Sequence, residues 1–263
     1  MKTPLTYYGG KQRLADKIIK LIPKHNLYCE PFVGGGAVFF RKEPSPVEVI
    51  NDINSELINF YEVVQRDFVS LEKEVTISLH SRDLHRRAQV IYQNPDMFDK
   101  IKRAWAVWVL ANLSFASNLN NVYAYSKTVT RTRAFRNKRD SFTYEMAIRL
   151  QDVQIECADA LRIIRSRDGR ESFFYCDPPY YNADMGHYDG YTKEDFKMLL
   201  DALSGIKGKF LLSSYPGDLI GEYVKQNGWH RISLNMSLSA PLKPKRKIEV
   251  LTANYELLRI DES

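Results

Sequence analysis

The chain has 263 residues, 44% hydrophobic and 27% charged, enough for one large α/β domain or a core with an inserted subdomain. No apolar run reaches the roughly 18–20 residues of a membrane span, and the opening MKTPLTYYGGK lacks the apolar core of a secretory signal, so the sequence points to the cytoplasm and to no membrane partner. The net charge of +6 hints at a polyanion, while three scattered cysteines (Cys29, Cys157, Cys176) and no Cys or His pair at ligand spacing argue against disulfides and against a metal.

In chain order, KQRLADKIIKLI (11–22) puts Leu14, Ile18, Ile19 and Ile22 on one helical face. LYCEPFVGGG (27–36) reads as a short buried strand running into a glycine turn, after which AVFFRK opens a helix. VEVIND (47–52) is a second strand ending in an acid, and SELINFYEVVQRDF (55–68) is a helix. Strand, glycine turn, helix, strand, acid is the opening of a doubly wound parallel sheet. Residues 70–150 break the alternation. They hold long helical stretches such as MFDKIKRAWAVWVLANLSFA (97–116), followed by polar and basic loops, and read as an inserted, mostly helical subdomain.

The alternation then resumes. VQIEC (153–157), SFFYC (172–176), KFLLSS (209–214), HRISLNM (230–236) and IEVLTANYELL (248–258) read as strands. TKEDFKMLLDAL (192–203), opened by a Thr192–Asp195 capping box, and GDLIGEYVKQN (217–227) read as helices. The last two strands are too close for a helical crossover and are expected to form an antiparallel hairpin that closes the sheet.

In open α/β sheets ligands bind beyond the carboxyl ends of the strands. Three candidates end strands here: Glu30 with the glycines Gly34, Gly35 and Gly36; Asp52; and Asp177 of DPPY. Asp52 lies about 20 residues past the first strand, where an acid can take both hydroxyls of a ribose. The run GGG is not G-x-G-x-x-G, which disfavours a pyrophosphate-binding dinucleotide fold and favours a nucleoside ligand without phosphates. The segment 127–140, KTVTRTRAFRNKRD, holds Lys127, Arg131, Arg133, Arg136, Lys138 and Arg139 against the single acid Asp140. Just before it stand Asn118, Asn120, Asn121, Tyr123 and Tyr125. Amides and aromatics beside a basic run suit base-edge readout and phosphate contact, although a solvated basic loop is the alternative.

YYGGK (7–11), EPFVGGGAVFF (30–40), NDIN (51–54), DPPYY (177–181) and IEVLTANYE (248–256) occur in one order. This order resembles the Dam-type DNA adenine-N6 methyltransferases over nearly the whole chain, and more weakly across residues 70–150. The resemblance implies a Rossmann-like catalytic domain of residues 1–69 and 151–263, which binds S-adenosylmethionine, and a target-recognition domain of residues 70–150. It implies adenine in double-stranded DNA as acceptor, with no metal. It also implies roles by position: Tyr7, Lys11, Phe32, Gly34, Asp52 and Asp177 at the cofactor, and Asp177, Pro178 and Tyr180 in catalysis. Asp159 is a lesser candidate for the adenosyl base. Asn118, Asn120, Tyr123, Lys127, Arg131, Arg133, Arg136 and Lys138 fall in the DNA-reading insertion. The chain is expected to act as a monomer, and a cognate restriction endonuclease acting separately stays open.

A carboxylate on a diproline turn has a reason in this chemistry. The exocyclic adenine nitrogen is a poor nucleophile because its lone pair is delocalised into the ring. Two fixed acceptors, Asp177 and the Pro178 carbonyl, would turn it toward tetrahedral geometry, with Tyr180 stacking on a base flipped out of the duplex. The following loop, 181–191, is expected to close over that base, and His187 in it reads as a loop residue rather than a base. Five alternatives are weighed. A nicotinamide-dependent oxidoreductase would leave DPPY unexplained, and a DNA-binding protein with a degenerate site would not need it. RNA adenine or a protein amide could be the acceptor. A cytosine-C5 enzyme would need a thiolate, whereas Cys176 is expected to point away from Asp177.

Overall fold

The computed structural model describes residues 1–181, 190–236 and 247–257. Contacts gather into two compact units that the chain visits alternately. The first is Met1–Ile19, Val33–Pro44 and Asp52–Cys157, and the second is Lys20–Phe32, Ser45–Asn51 and Ala158–Ser263. Numbered along the chain, the strands are β1 (Leu27–Glu30), β2 (Val47–Asn51), β3 (Gln154–Glu156), β4 (Ser172–Cys176), β5 (Lys209–Ser214), β6 (His230–Met236) and β7 (Lys247–Ala253).

The second unit is an α/β layer. Its strands run in the order β2-β1-β4-β5-β7-β6. β2, β1, β4 and β5 are parallel, whereas β7 pairs antiparallel with both β5 and β6, which is the closing hairpin expected from the sequence. The SFFYC strand is buried at every position, as a central parallel strand covered on both faces must be. One face carries Cys29, Phe174, Cys176, Phe210 and Leu212. It packs on three helices: α8 (Ala160–Arg167) through Ile163 and Ile164, α9 (Lys193–Ser204) through Phe196, Leu199, Leu200 and Leu203, and α10 (Asp218–Asn227) through Leu219 and Ile220. On the other face Tyr28 stacks on Phe173 at 5.9 Å, in register across β1 and β4.

The first unit is mainly helical: α1 (Ala15–Ile19), α2 (Ser55–Arg66), α3 (Phe68–Thr76), α4 (Arg82–Gln93), α5 (Lys100–Leu113), α6 (Arg131–Asp140) and α7 (Glu145–Leu150), with β3 at its end. α5 is apolar around most of its circumference and is buried from Ala104 to Ala111, as the central helix of a bundle should be. Its charged first turn pairs instead: the Arg103 guanidinium donates two hydrogen bonds to the Glu56 carboxylate on α2. Phe60, Phe68, Trp108, Phe135 and Phe142 form an aromatic cluster across α2, α3, α5 and α6.

Four expectations from the sequence are corrected. AVFFRK forms a series of turns and not a helix. Phe40 N donates to Gly36 O and Lys42 N to Val38 O, but Gly36 sits at φ +64° and Pro44 follows within two turns, so no run of helical bonds builds up. α1 is only five residues long because Pro23 closes the segment 11–22 soon after it begins. β7 stops at Ala253, where Asn254 takes over the edge: its side chain accepts from Phe210 N at 3.1 Å and donates to Gly208 O at 2.9 Å. Most of the basic run is a helix, α6, rather than a loop, and Phe135 anchors it.

The core of the second unit and the cap of α9 should differ in weight. Leu200→Ala, at a fully buried position, should cost about 2–5 kcal/mol. Thr192→Ala removes one half of an observed capping box and should cost about 1 kcal/mol. Urea unfolding of the two variants beside the parent measures both.

Candidate active site

In the second unit the chain leaves β4 through Asp177-Pro178-Pro179-Tyr180. Pro178 and Tyr180 are buried and Asp177 is half-buried. Proline fixes φ at two consecutive positions, so the carboxylate stands on a stiff turn. The Tyr180 hydroxyl meets two acids: it lies 3.1 Å from Asp177 Oδ1 and in short contact with Glu249 Oε1 on β7. Its ring stands edge-on to Tyr215, with centroids 4.4 Å apart. Burial first, then the charges of Asp177 and Glu249, push the Tyr180 phenol well above its ordinary range, so it stays protonated. Tyr175 is raised in the same way by burial and by Asp177, and its hydroxyl bonds Ser213 at 3.0 Å. Cys176 lies in the core against the helices. Burial and then the Asp177 charge push its thiol up, which leaves no thiolate nucleophile there.

Asn51 holds the strand ends of this unit. Asn51, the last residue of β2, is fully buried. Its amide donates to Pro31 O at 2.9 Å and to Ala158 O at 3.0 Å, and its carbonyl accepts from Ala158 N at 2.9 Å. It thereby ties the turn after β1 to the segment that opens α8. Phe32 is half-buried against the core. Asp159 caps α8, accepting from Arg162 N at 3.0 Å. Residues 182–189, including His187, lie outside the described residues.

In the first unit Tyr7, Gly34 and Asp52 come together. Asp52 Oδ2 accepts from Gly34 N at 3.1 Å and Oδ1 accepts from Asn54 N at 3.0 Å. Burial raises the Asp52 carboxyl, and those backbone donors pull against the rise. Tyr61 donates to Gly34 O at 2.7 Å. Tyr7 lies over the glycine turn so closely that a Cβ at Gly35 would sit 2.7 Å from its own Cβ, so only glycine fits. Lys11 is buried and donates to Gly9 O at 3.2 Å.

The residues of the insertion divide into tethered and exposed groups. Asn118 accepts from Asn120 N at 3.0 Å, directly after two left-handed residues, Ala116 (φ 56°) and Ser117 (φ 57°). Tyr123 is held by His80 Nδ1 at 2.7 Å, and Arg82 stacks over both Tyr123 and Tyr125. Lys127, Arg131, Arg133 and Arg136 are exposed. Lys138 is half-buried, its ammonium pulled down by burial, and Arg139 donates to Ser78 O. A polar cavity of about 270 Å³ lies between His80 and the segment 125–132.

Sequence reasoning named the turn, the glycines and the acids, but gave no role to Glu249, Tyr215, Asn51, His80 or Arg82. Glu249 did leave a signal: an acid one residue before Val250 and Leu251 in an otherwise apolar strand.

A doubly wound sheet with a carboxylate-diproline-tyrosine turn beyond a central strand, and a basic helical insertion, defines a class of nucleic-acid-modifying enzyme. The chain matches the family described as D12 class N6 adenine-specific DNA methyltransferase over residues 7–236, and it belongs to that family. It is an adenine-specific DNA methyltransferase. Among its relatives, the type II methyltransferase M1.LlaDCHI of Lactococcus lactis subsp. cremoris is 28% identical, over 94% of this chain and 93% of that one. The DNA adenine methylase of Escherichia coli strain K12 is 27% identical, over 96% and 94%. The type II methyltransferase M.MjaIII of Methanocaldococcus jannaschii is 30% identical, over 74% and 75%. No described helix is long and apolar enough to cross a membrane, and the described residues contain no group of three His, Cys, Asp or Glu placed to hold a metal ion.

Asn51 makes a direct test of how the strand ends are held. Asn51→Ala leaves the Ala158 N–H and two carbonyls without this partner and should destabilise the protein by about 2–4 kcal/mol. Asn51→Asp keeps the acceptor for Ala158 N but sets a carboxylate against two carbonyls, and should be no better than alanine. Thermal midpoints of the purified variants give the comparison.

Proposed function

We propose that this chain transfers a methyl group from S-adenosylmethionine to the exocyclic N6 of an adenine flipped out of double-stranded DNA. The observation that carries this reading is the Asp177 carboxylate, held on a stiff diproline turn beside a protonated, buried Tyr180. Asp177 accepts one N6 hydrogen and the Pro178 carbonyl the other. The nitrogen moves toward tetrahedral geometry and its lone pair leaves the ring. Because the acceptors are fixed in advance, they need not reorganise as charge develops. The methylated amine is then a cation that sheds its extra proton readily, so no strong base is required. Tyr180 offers an aromatic face to the base.

The donor set of the first unit fits S-adenosylmethionine. The Asp52 carboxylate accepts two backbone N–H groups and has roughly four lone-pair sites, which leaves capacity for ribose hydroxyls. Lys11 brings a cation for the methionine carboxylate, and the glycines let Tyr7 pack directly on the turn, which sets its ring beside Asp52's partner Gly34. When bound, the cofactor supplies an electrophilic methyl group on sulfur.

Residues 1–69 and 151–263 serve as the catalytic part and residues 70–150 as the target reader. Four exposed cations, Lys127, Arg131, Arg133 and Arg136, support DNA contact. Lys138, being half-buried, is a weaker candidate. Asn118, Asn120 and Tyr123 are held by local hydrogen bonds and present polar edges beside them.

Asp177→Ala should lower methyl transfer by about 10²–10⁴-fold, as loss of an acceptor at the reacting amine does, while DNA affinity stays within about threefold, since phosphate contacts dominate it. Tritium transfer and filter binding measure the two. Near-parental turnover refutes the assignment. Asp52→Ala and Lys11→Ala should each weaken cofactor binding by about 10–100-fold in calorimetric titration, the loss of one charge-assisted hydrogen bond. In the reader, Arg133→Ala and Arg136→Ala should separate two roles. An arginine that grips a phosphate lowers the salt slope by about one unit on every duplex when it is removed. An arginine that reads a guanine costs about 1–3 kcal/mol when removed, on the preferred site alone. Duplex titrations at several salt concentrations, on matched and mismatched sites, tell the two apart.

A further inference from the structure

The segment IEVLTANYE (248–256) is the one motif without a role so far. Its Glu249 is 1% exposed. It stands on β7 opposite Leu234 of β6, between Ile248 and Val250 in sequence. An ionisable group taken that far from water is costly unless it is hydrogen-bonded. Here a bond comes from the Tyr180 hydroxyl, 69 residues away in the chain and in short contact with Glu249 Oε1. The same hydroxyl lies 3.1 Å from Asp177 Oδ1. A phenol carries one proton, so it can donate to one of these two carboxylates at a time. The shorter contact is to Glu249.

We propose that Glu249 is a positioning residue for methyl transfer: by accepting the hydrogen bond of the Tyr180 hydroxyl it fixes the tyrosine ring and keeps that hydrogen bond from Asp177, whose charge then serves the adenine amino hydrogen. The proposal rests on the role given to Asp177 above. With Glu249 gone, Tyr180 would turn its proton fully to Asp177, 3.1 Å away, in a charge-assisted bond that draws charge from the carboxylate and weakens it as an acceptor for the substrate. The ring would also lose the anchor that holds it beside Tyr215. Tyr180 is suited to the task because it remains a donor: burial and both acids hold its phenol in the protonated form.

The experiment compares Glu249→Ala, Glu249→Gln, Tyr180→Phe, Asp177→Ala and the double variant Tyr180→Phe/Glu249→Gln. It uses tritiated S-adenosylmethionine and duplex DNA, with thermal midpoints recorded for each protein. Glu249→Ala should lower kcat by about 10–100-fold, the scale of a misplaced reacting group, with KM for DNA and cofactor within about threefold. Glu249→Gln should recover to within about fivefold of the parent, because its amide oxygen accepts the same hydroxyl. Tyr180→Phe should lower kcat by about tenfold, and Glu249→Gln added to it should change kcat less than about twofold, since its partner is already gone. A loss that falls on KM overturns the proposal. So does a Gln variant that is as impaired as Ala at equal stability, or a loss that multiplies in the double variant. If Glu249→Ala does not fold, Tyr180→Phe decides, and parental kcat there overturns the proposal. Glu249 variants that turn over like the parent beside an inactive Asp177→Ala overturn this proposal alone. An active Asp177→Ala removes the underlying reading, and this one with it.

Discussion

A strand that ends inside a protein strips its last backbone groups of ladder partners, and those groups must be satisfied by something else. Much of the chemistry-bearing part of this enzyme is organised by that requirement. Asn51 ends β2 and gives its whole side-chain amide to Pro31 and Ala158. The next residue, Asp52, gives its carboxylate to the amides of Gly34 and Asn54. Asn254 ends β7 and serves Phe210 and Gly208. Each of these side chains takes the place of a sheet neighbour, and each thereby fixes the course of a turn. The glycine turn is held through Asp52, and the DPPY turn is stiff through its two prolines; stiffness is what a reaction that depends on preorganised acceptors demands.

How much of this was legible follows from the physics of each segment. SFFYC and KFLLSS carry their boundaries in sequence, because apolar runs flanked by turn residues leave a strand little choice of length. The DPPY acid and the glycines were legible because few residue types can do what those positions do. AVFFRK was misread because its composition suits a helix, while the positive φ of Gly36 and the nearby Pro44 decide otherwise. The basic run 131–140 was read as loop because it has no apolar stripe. One residue, Phe135, holds the helix to the aromatic cluster, and a single anchor gives no periodicity to detect. Glu249 and Asn51 escaped for a different reason: the acid in β7 is visible in the sequence, but its partner Tyr180 lies 69 residues away, and Asn51 reaches Pro31 and Ala158, 20 and 107 residues away, so the sequence shows neither side chain's partners.

The acids of the second unit share a further property. Glu30 and Glu249 are both almost fully buried, and each accepts a tyrosine hydroxyl: Tyr28 to Glu30 at 2.6 Å, and Tyr180 to Glu249. A lysine or arginine in place of either tyrosine would hold the carboxylate more tightly, but its positive charge would cancel the field of the acid it pairs with. A phenol satisfies a lone pair of the carboxylate without bringing a positive charge of its own. In the proposed reaction the adenine nitrogen gains positive charge as it is methylated, so a carboxylate held at that nitrogen stabilises the transition state more than the ground state. That difference is what lowers the barrier. Four of the chain's cations, Lys127, Arg131, Arg133 and Arg136, stand exposed on and just before α6, and the proposed reading gives them the opposite duty of meeting a phosphate backbone. The net charge of +6 is therefore a poor guide to the catalytic turn: the surface that is proposed to hold the polyanion is basic, whereas the Tyr180 hydroxyl stands between two acids, Asp177 and Glu249, where the amine of the proposed reaction would become a cation.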